Sequence, residues 1–90
     1  MSAYGEFKNR NHIYVAFLHL KGRGVVDLVE RNDLLQAIDA YNDLVEEAQN
    51  DTFGEGIYEA SLYRDFFDEK GRVVKSDLFR QCIIDRGDEL

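Results

Sequence analysis

The chain reads as an α+β domain: an antiparallel sheet of about four strands in the order β-β-α-β-β, with one long amphipathic helix on one face. Three observations predict it. Leu34, Ile38, Tyr41, Val45 and Ala48 recur at the 4,3,4,3 spacing that puts side chains on one face of a helix over Asp33 to Gln49. His12 to Leu20 is dense in strand formers and runs into the glycine-bearing turn Lys21-Gly22-Arg23-Gly24. Ile57 to Phe67 and Arg72 to Ile83 flank Asp68-Glu69-Lys70-Gly71, the pattern of a second hairpin.

In chain order, Met1 to Asn11 is polar apart from Tyr4 and Phe7 and reads as a loose N-terminal arm, residues 1–11. His12 to Leu20 is apolar on both alternating faces, which predicts a central strand. Val25 to Glu30 then pairs back as the second strand. Asn32 is the expected helix cap, with Asp33 in the first turn where the helix dipole favours an anion. Ala37 and Leu44 widen the apolar stripe, and Asp39, Asp43, Glu46, Glu47 and Asn50 fall on the opposite side. Asn50 to Gly56 is a loop.

A three-residue turn with Gly71 in the left-handed conformation predicts a register in which Asp68 faces Arg72, Asp65 faces Lys75, Phe66 faces Val74 and Leu62 faces Leu78. One face of that hairpin carries Tyr58, Leu62, Phe66, Val74, Leu78 and Cys82 toward the helix. The other carries Phe67, Val73, Tyr63 and Phe79 among Asp65, Lys75, Asp77 and Glu59. A competing reading of 76–86 ends the strand near Lys75 and starts a short helix capped by Ser76, with Leu78, Phe79, Cys82 and Ile83 as its stripe. Residues 85–90 read as a polar tail.

Ninety residues fit a single domain, 1–90, with one modest core. The net charge of −7 is unevenly divided. Residues 1–31 carry five basic and three acidic groups, residues 32–63 eight acidic and no Lys or Arg, and residues 64–90 six basic and seven acidic. Such a chain as a whole is repelled by nucleic acid and anionic membranes, so neither is an expected direct partner. The longest mainly apolar run, Ile13 to Leu20, is too short to span a bilayer, and the N-terminus does not resemble a signal peptide. With Cys82 as the one cysteine, a reducing cytoplasm is expected, that of the host if the chain is phage-encoded.

Chemistry is sought with little return. His12 and His19 are an odd number apart on one strand, which points their rings to opposite faces, and Cys82 is remote. No metal spacing, cofactor motif or nucleophile signature emerges, so no metal, cofactor or catalytic residue is expected. Lys21-Gly22-Arg23-Gly24 matches no phosphate-binding fingerprint and reads as a turn. Lys8, Arg10, Lys21, Arg23 and Arg31 with nearby aromatics give only a weak nucleic-acid signature.

What remains is the acidic series. Like-charged i,i+4 pairs Asp39–Asp43 and Asp43–Glu47 cost the helix about 0.2–0.5 kcal/mol each at exposed sites. Carboxylates three or four residues apart lie about 4.5–6 Å apart along the axis, the few-ångström scale on which a duplex displays its charges. The expected function is a small, non-enzymatic binding protein that blocks the basic, nucleic-acid-binding surface of a partner protein, through Asp39, Asp43, Glu46, Glu47, Asp51 and Glu55. In size and acidity the chain resembles small phage proteins that inhibit host defence nucleases, including anti-CRISPR proteins, and that resemblance implies DNA mimicry. Two alternatives stand beside it: a dimerising adaptor or regulatory module that uses the exposed sheet face, and a small ligand-binding or catalytic domain with an unseen site.

Overall fold

A computed structural model of the protein describes residues 12–50 and 52–85. Its elements are β1 (His12–Leu20), β2 (Gly24–Arg31), α1 (Leu34–Gln49), β3 (Ile57–Phe67) and β4 (Val73–Asp85). The strands form one antiparallel sheet in the order β2-β1-β3-β4. The expected α+β architecture is therefore present, with β1 inside the sheet as its two apolar faces require. Over 76–85 the chain is strand rather than helix, and β4 runs on to Asp85 rather than stopping at Ile83. The arm 1–11 and residues 86–90 of the tail lie outside the described residues.

The helix packs over β1, with β3 and β2 beside it and β4 touched least. Tyr14, Ala16, Leu18 and Leu20 from β1 meet Tyr58, Ala60 and Leu62 from β3 and Ala37, Ala40, Tyr41, Leu44 and Ala48 from the helix. Leu18, Leu44, Leu62 and Tyr58 are sealed from solvent, each burial worth roughly 1.5–3 kcal/mol.

The inward stripe differs from the expected one. Ala40 belongs to it, while Leu34, Ile38 and Val45 are only partly buried at its margin. Alanines on the helix share the core with Ala16 and Ala60 on the sheet, and small side chains let two layers approach. Large aliphatics then flank the contact instead of filling it.

The cap also shifts by one residue. Asp33, not Asn32, is the extended cap residue, and its Oδ2 accepts the Gln36 N–H at 3.1 Å. No acidic residue then sits in the first turn.

The second hairpin departs most from expectation. Its turn is as read: Gly71 has φ 81°, the Asp68 N–H donates to the Arg72 carbonyl at 2.9 Å, and Arg72 Nε lies 3.0 Å from Asp68 Oδ2. Phe67 still opposes Val73, but Phe66 opposes Lys75, Asp65 opposes Ser76, Tyr63 opposes Leu78 and Leu62 opposes Arg80. The expected pairs Asp65–Lys75, Phe66–Val74 and Leu62–Leu78 are not formed. Two bulges, one beside Phe66/Phe67 and one beside Leu62/Tyr63, each insert a residue into β4 and break the strict alternation. Leu78 consequently turns away from the helix, while Phe79, Lys75 and Asp77 come to the helix side.

Candidate acidic interface

The helix flank that runs beside β2 carries the acidic series. Asp39, Asp43 and Glu47 lie four residues apart, so they stack along one edge of α1. Asp39 and Asp43 are exposed, as the sequence suggests, whereas Glu47 is partly buried. Because the buried stripe centres on Ala37, Ala40 and Leu44, these carboxylates form one wall of a groove against β2.

The other wall comes from β2. Arg31 and Val29 pair with Tyr14 and Ala16 of β1, and Asp27 with Leu18, so all three share the helix side. A bulge between Leu18 and His19 follows, leaving Val26 as the extra residue and turning Val25 outward. The groove encloses about 330 Å³ and is lined by Asp27, Val29, Arg31, Gln36, Asp39, Ala40, Asp43, Leu44 and Glu47. Four carboxylates and one guanidinium thus surround a narrow apolar floor of Val29, Ala40 and Leu44.

Asp27 is the residue that the sequence reading missed. Its signal was its two-residue spacing from Val29 and four-residue spacing from Arg31, which places all three on one face of a strand. Only the helix packing tells which face that is.

Glu47 lies deepest. Its Oε1 is out of contact with solvent and accepts no hydrogen bond among the described residues. Burial raises its pKa above the ordinary glutamate value, and the adjoining Asp27 carboxyl and the charge of Asp43 raise it further. Two ionised carboxylates offer no donor to one another.

The remaining expected site residues are scattered. Glu46 is exposed on the helix but does not line the groove, and Glu55 is exposed in the loop after the helix. Asp51 lies outside the described residues. Among the described residues, the three ion pairs are Arg64–Asp77, Arg72–Asp68 and Lys75–Asp77, all within β3 and β4 and their turn. None involves an acid of α1.

The other chemistry considered has structural uses. Arg23 donates from Nη1 to the Phe53 carbonyl at 2.8 Å, which ties the first turn to the loop before β3. His12 packs edge-on to Tyr14 at 5.5 Å on the helix side, while His19 pairs with Glu59 across the open side. Cys82 is half-buried against the core. Among the described residues no three His, Cys, Asp or Glu side chains are grouped to hold a metal ion, and no helix is long and apolar enough to cross a membrane. No protein-family model matches the chain, and no curated protein or solved structure matches it.

Proposed function

We propose that the protein is a non-enzymatic binding protein whose α1–β2 flank engages the basic, nucleic-acid-binding surface of a partner protein and blocks it. One observation supports this reading most: among the described residues, no Lys or Arg forms an ion pair with Asp39, Asp43, Glu46 or Glu47, although α1 carries them as an unbroken acidic series. An acidic face neutralised from within would have little field to offer. This one keeps its field, and a cationic partner would both recognise it and relieve the self-repulsion. Arg31 at the groove wall fixes orientation by excluding a partner cation at that end.

The test is a titration against the partner recovered from the source cell, or from its host if the source is a phage, with duplex DNA as competitor. Wild type should bind more weakly as salt rises, because exposed charges are screened within about 8–10 Å. The association rate should fall more than the dissociation rate rises. Joint replacement of Asp39, Asp43 and Glu46 by Lys, all exposed positions, should abolish binding while circular dichroism stays unchanged. Replacing Lys21 and Arg23 by Ala should leave affinity intact. A folded triple variant with wild-type affinity, or a complex indifferent to DNA, would remove this function.

A further inference from the structure

We infer that a second copy of this chain docks on the outer edge of β4, the two β4 strands pairing antiparallel about a two-fold axis at Leu78. β4 is the terminal strand of the sheet and, at thirteen residues, its longest. It contains no proline, and it exposes Val73, Val74, Leu78 and Ile83. A long edge with unpaired amides and exposed apolar side chains is a template for another strand, which natural proteins normally shorten, charge or cover.

The bulge at Phe79 decides how a second copy fits. In an unbroken strand, residues on one face are an even number apart. Asp77 opposes Arg64 and Arg80 opposes Leu62, so both lie on the helix side although they are three positions apart. In the same way Ser76 and Gln81, opposite Asp65 and Ser61, share the open side, and Lys75 and Cys82, opposite Phe66 and Ala60, share the helix side. Folding β4 against its own copy about Leu78, with Phe79 the bulged residue of both copies, therefore sets Asp77 opposite Arg80, Ser76 opposite Gln81 and Lys75 opposite Cys82. Each pair has both side chains on one face.

Charge selects this register from its neighbours. Sliding it one way brings Lys75 opposite Arg80, two cations; sliding it the other way brings Asp77 opposite Cys82. A register with Lys75 opposite Asp85 would join residues of opposite faces, because Asp85 opposes Ile57 on the open side. Arg80 is exposed and, among the described residues, has no carboxylate within ion-pair distance. The two-fold sets Asp77 of the other copy directly opposite it, a contact made twice in the dimer, where opposite charges stabilise a strand pair. Leu78, half exposed in one copy, falls at the axis and is covered there. The helix reaches β4 least, so it leaves this edge accessible. The dimer uses none of the α1–β2 groove and stands or falls independently of the function proposed above.

Sedimentation equilibrium from about 1 μM to about 1 mM reads the association. Wild type should reach twice the chain mass and stop there, since a two-fold contact closes. Arg80→Asp should raise the dimer dissociation constant at least about tenfold, because each contact then opposes two carboxylates. Adding Asp77→Arg to that variant should restore dimerisation. A second readout does not depend on those charges: Lys75→Cys places a thiol opposite Cys82 of the partner and should form a disulfide-linked dimer on mild oxidation, which wild type should not. A wild type that stays monomeric to the highest concentration, or grows past the dimer, overturns the proposal. A dimer unaffected by Arg80→Asp, or one in which Lys75→Cys fails to cross-link, overturns it equally.

Discussion

The two flanks of the sheet handle charge in opposite ways. In the β3–β4 hairpin every ion pair of the described residues is formed within the element: Arg72 with Asp68 at the turn, and Arg64 and Lys75 with Asp77 further along. The Arg64 guanidinium also lies over the Phe66 and Phe79 rings, at 4.7 and 5.2 Å. On the α1–β2 flank, Asp27, Asp39, Asp43 and Glu47 crowd one groove with Arg31 alone among them. The hairpin thus forms ion pairs within itself, with Arg80 left out, and the acids of the helix flank form none among the described residues. Holding those acids together costs the domain some of its own stability, since like charges repel.

The largest effect should come from the helix's packing, because only that keeps the acidic row beside β2. Leu44→Ala should destabilise by about 2–5 kcal/mol, since the side chain is sealed against the sheet. Leu78→Ala, half exposed on the hairpin's outer face, should stay within about 0.5 kcal/mol in dilute protein. Urea denaturation measures both. Equal losses would mean that the helix is not what holds the sheet's inner face.

Next comes the hairpin's turn. Gly71 at φ 81° is in the region that L side chains avoid. Gly71→Val should cost about 1–2 kcal/mol or more, with nothing nearby to clash and the backbone alone responsible. A neutral result would show that the turn rearranges freely, and the ladder of charged pairs behind it would lose its anchor.

Smaller again is the ion pair itself. Asp77→Asn should cost about 0.2–1 kcal/mol, because both partners are partly solvated and the N–O separations of 3.6 and 3.9 Å are long. A double-mutant cycle with Arg64→Met separates that pairing from the stacking of Arg64 on Phe66 and Phe79. A coupling energy of zero would leave the hairpin's charges merely adjacent.

Much of this arrangement was legible in the sequence, and the part that was not has a common cause. Helix period, strand-forming runs and turn glycines are local signals, so the five elements and the Gly71 turn could be read directly. The inward face of α1 could be approximated, but alanines carry little weight in an apolar pattern, and Ala40 was passed over for Ile38 and Val45. Bulges leave no reliable mark on a sequence: the one beside Phe66/Phe67 reversed the faces of Lys75, Asp77 and Leu78, and the one beside Leu62/Tyr63 restored the expected faces from Arg80 on. A third placed Asp27 and Val25 on opposite sides. The acidic series on the helix was visible, whereas its gathering into a groove with Asp27 depends on contacts between residues about twenty apart.

The smallest and most diagnostic effect belongs to Glu47. Burial first, then its contact with Asp27 and the charges of Asp27 and Asp43, lifts its folded pKa above the unfolded value. Between those two values the native state holds more protons than the unfolded one, so stability falls as pH rises through the window and levels off above it. Below the unfolded value both states are protonated and the group costs nothing. Glu47→Gln removes the titration while keeping the side chain's size. The variant should therefore match wild type in acid and exceed it at neutral pH by several tenths of a kcal/mol, the scale of a like-charged i,i+4 pair. Asp27→Asn should shrink that gain, because the two carboxyls share the penalty. Urea midpoints across the pH range decide it. A gain of equal size at acid and neutral pH, or a loss at neutral pH, would show that Glu47 is held by bonds to its charged form. The groove would then already satisfy its own acids, and the contrast with the hairpin would disappear.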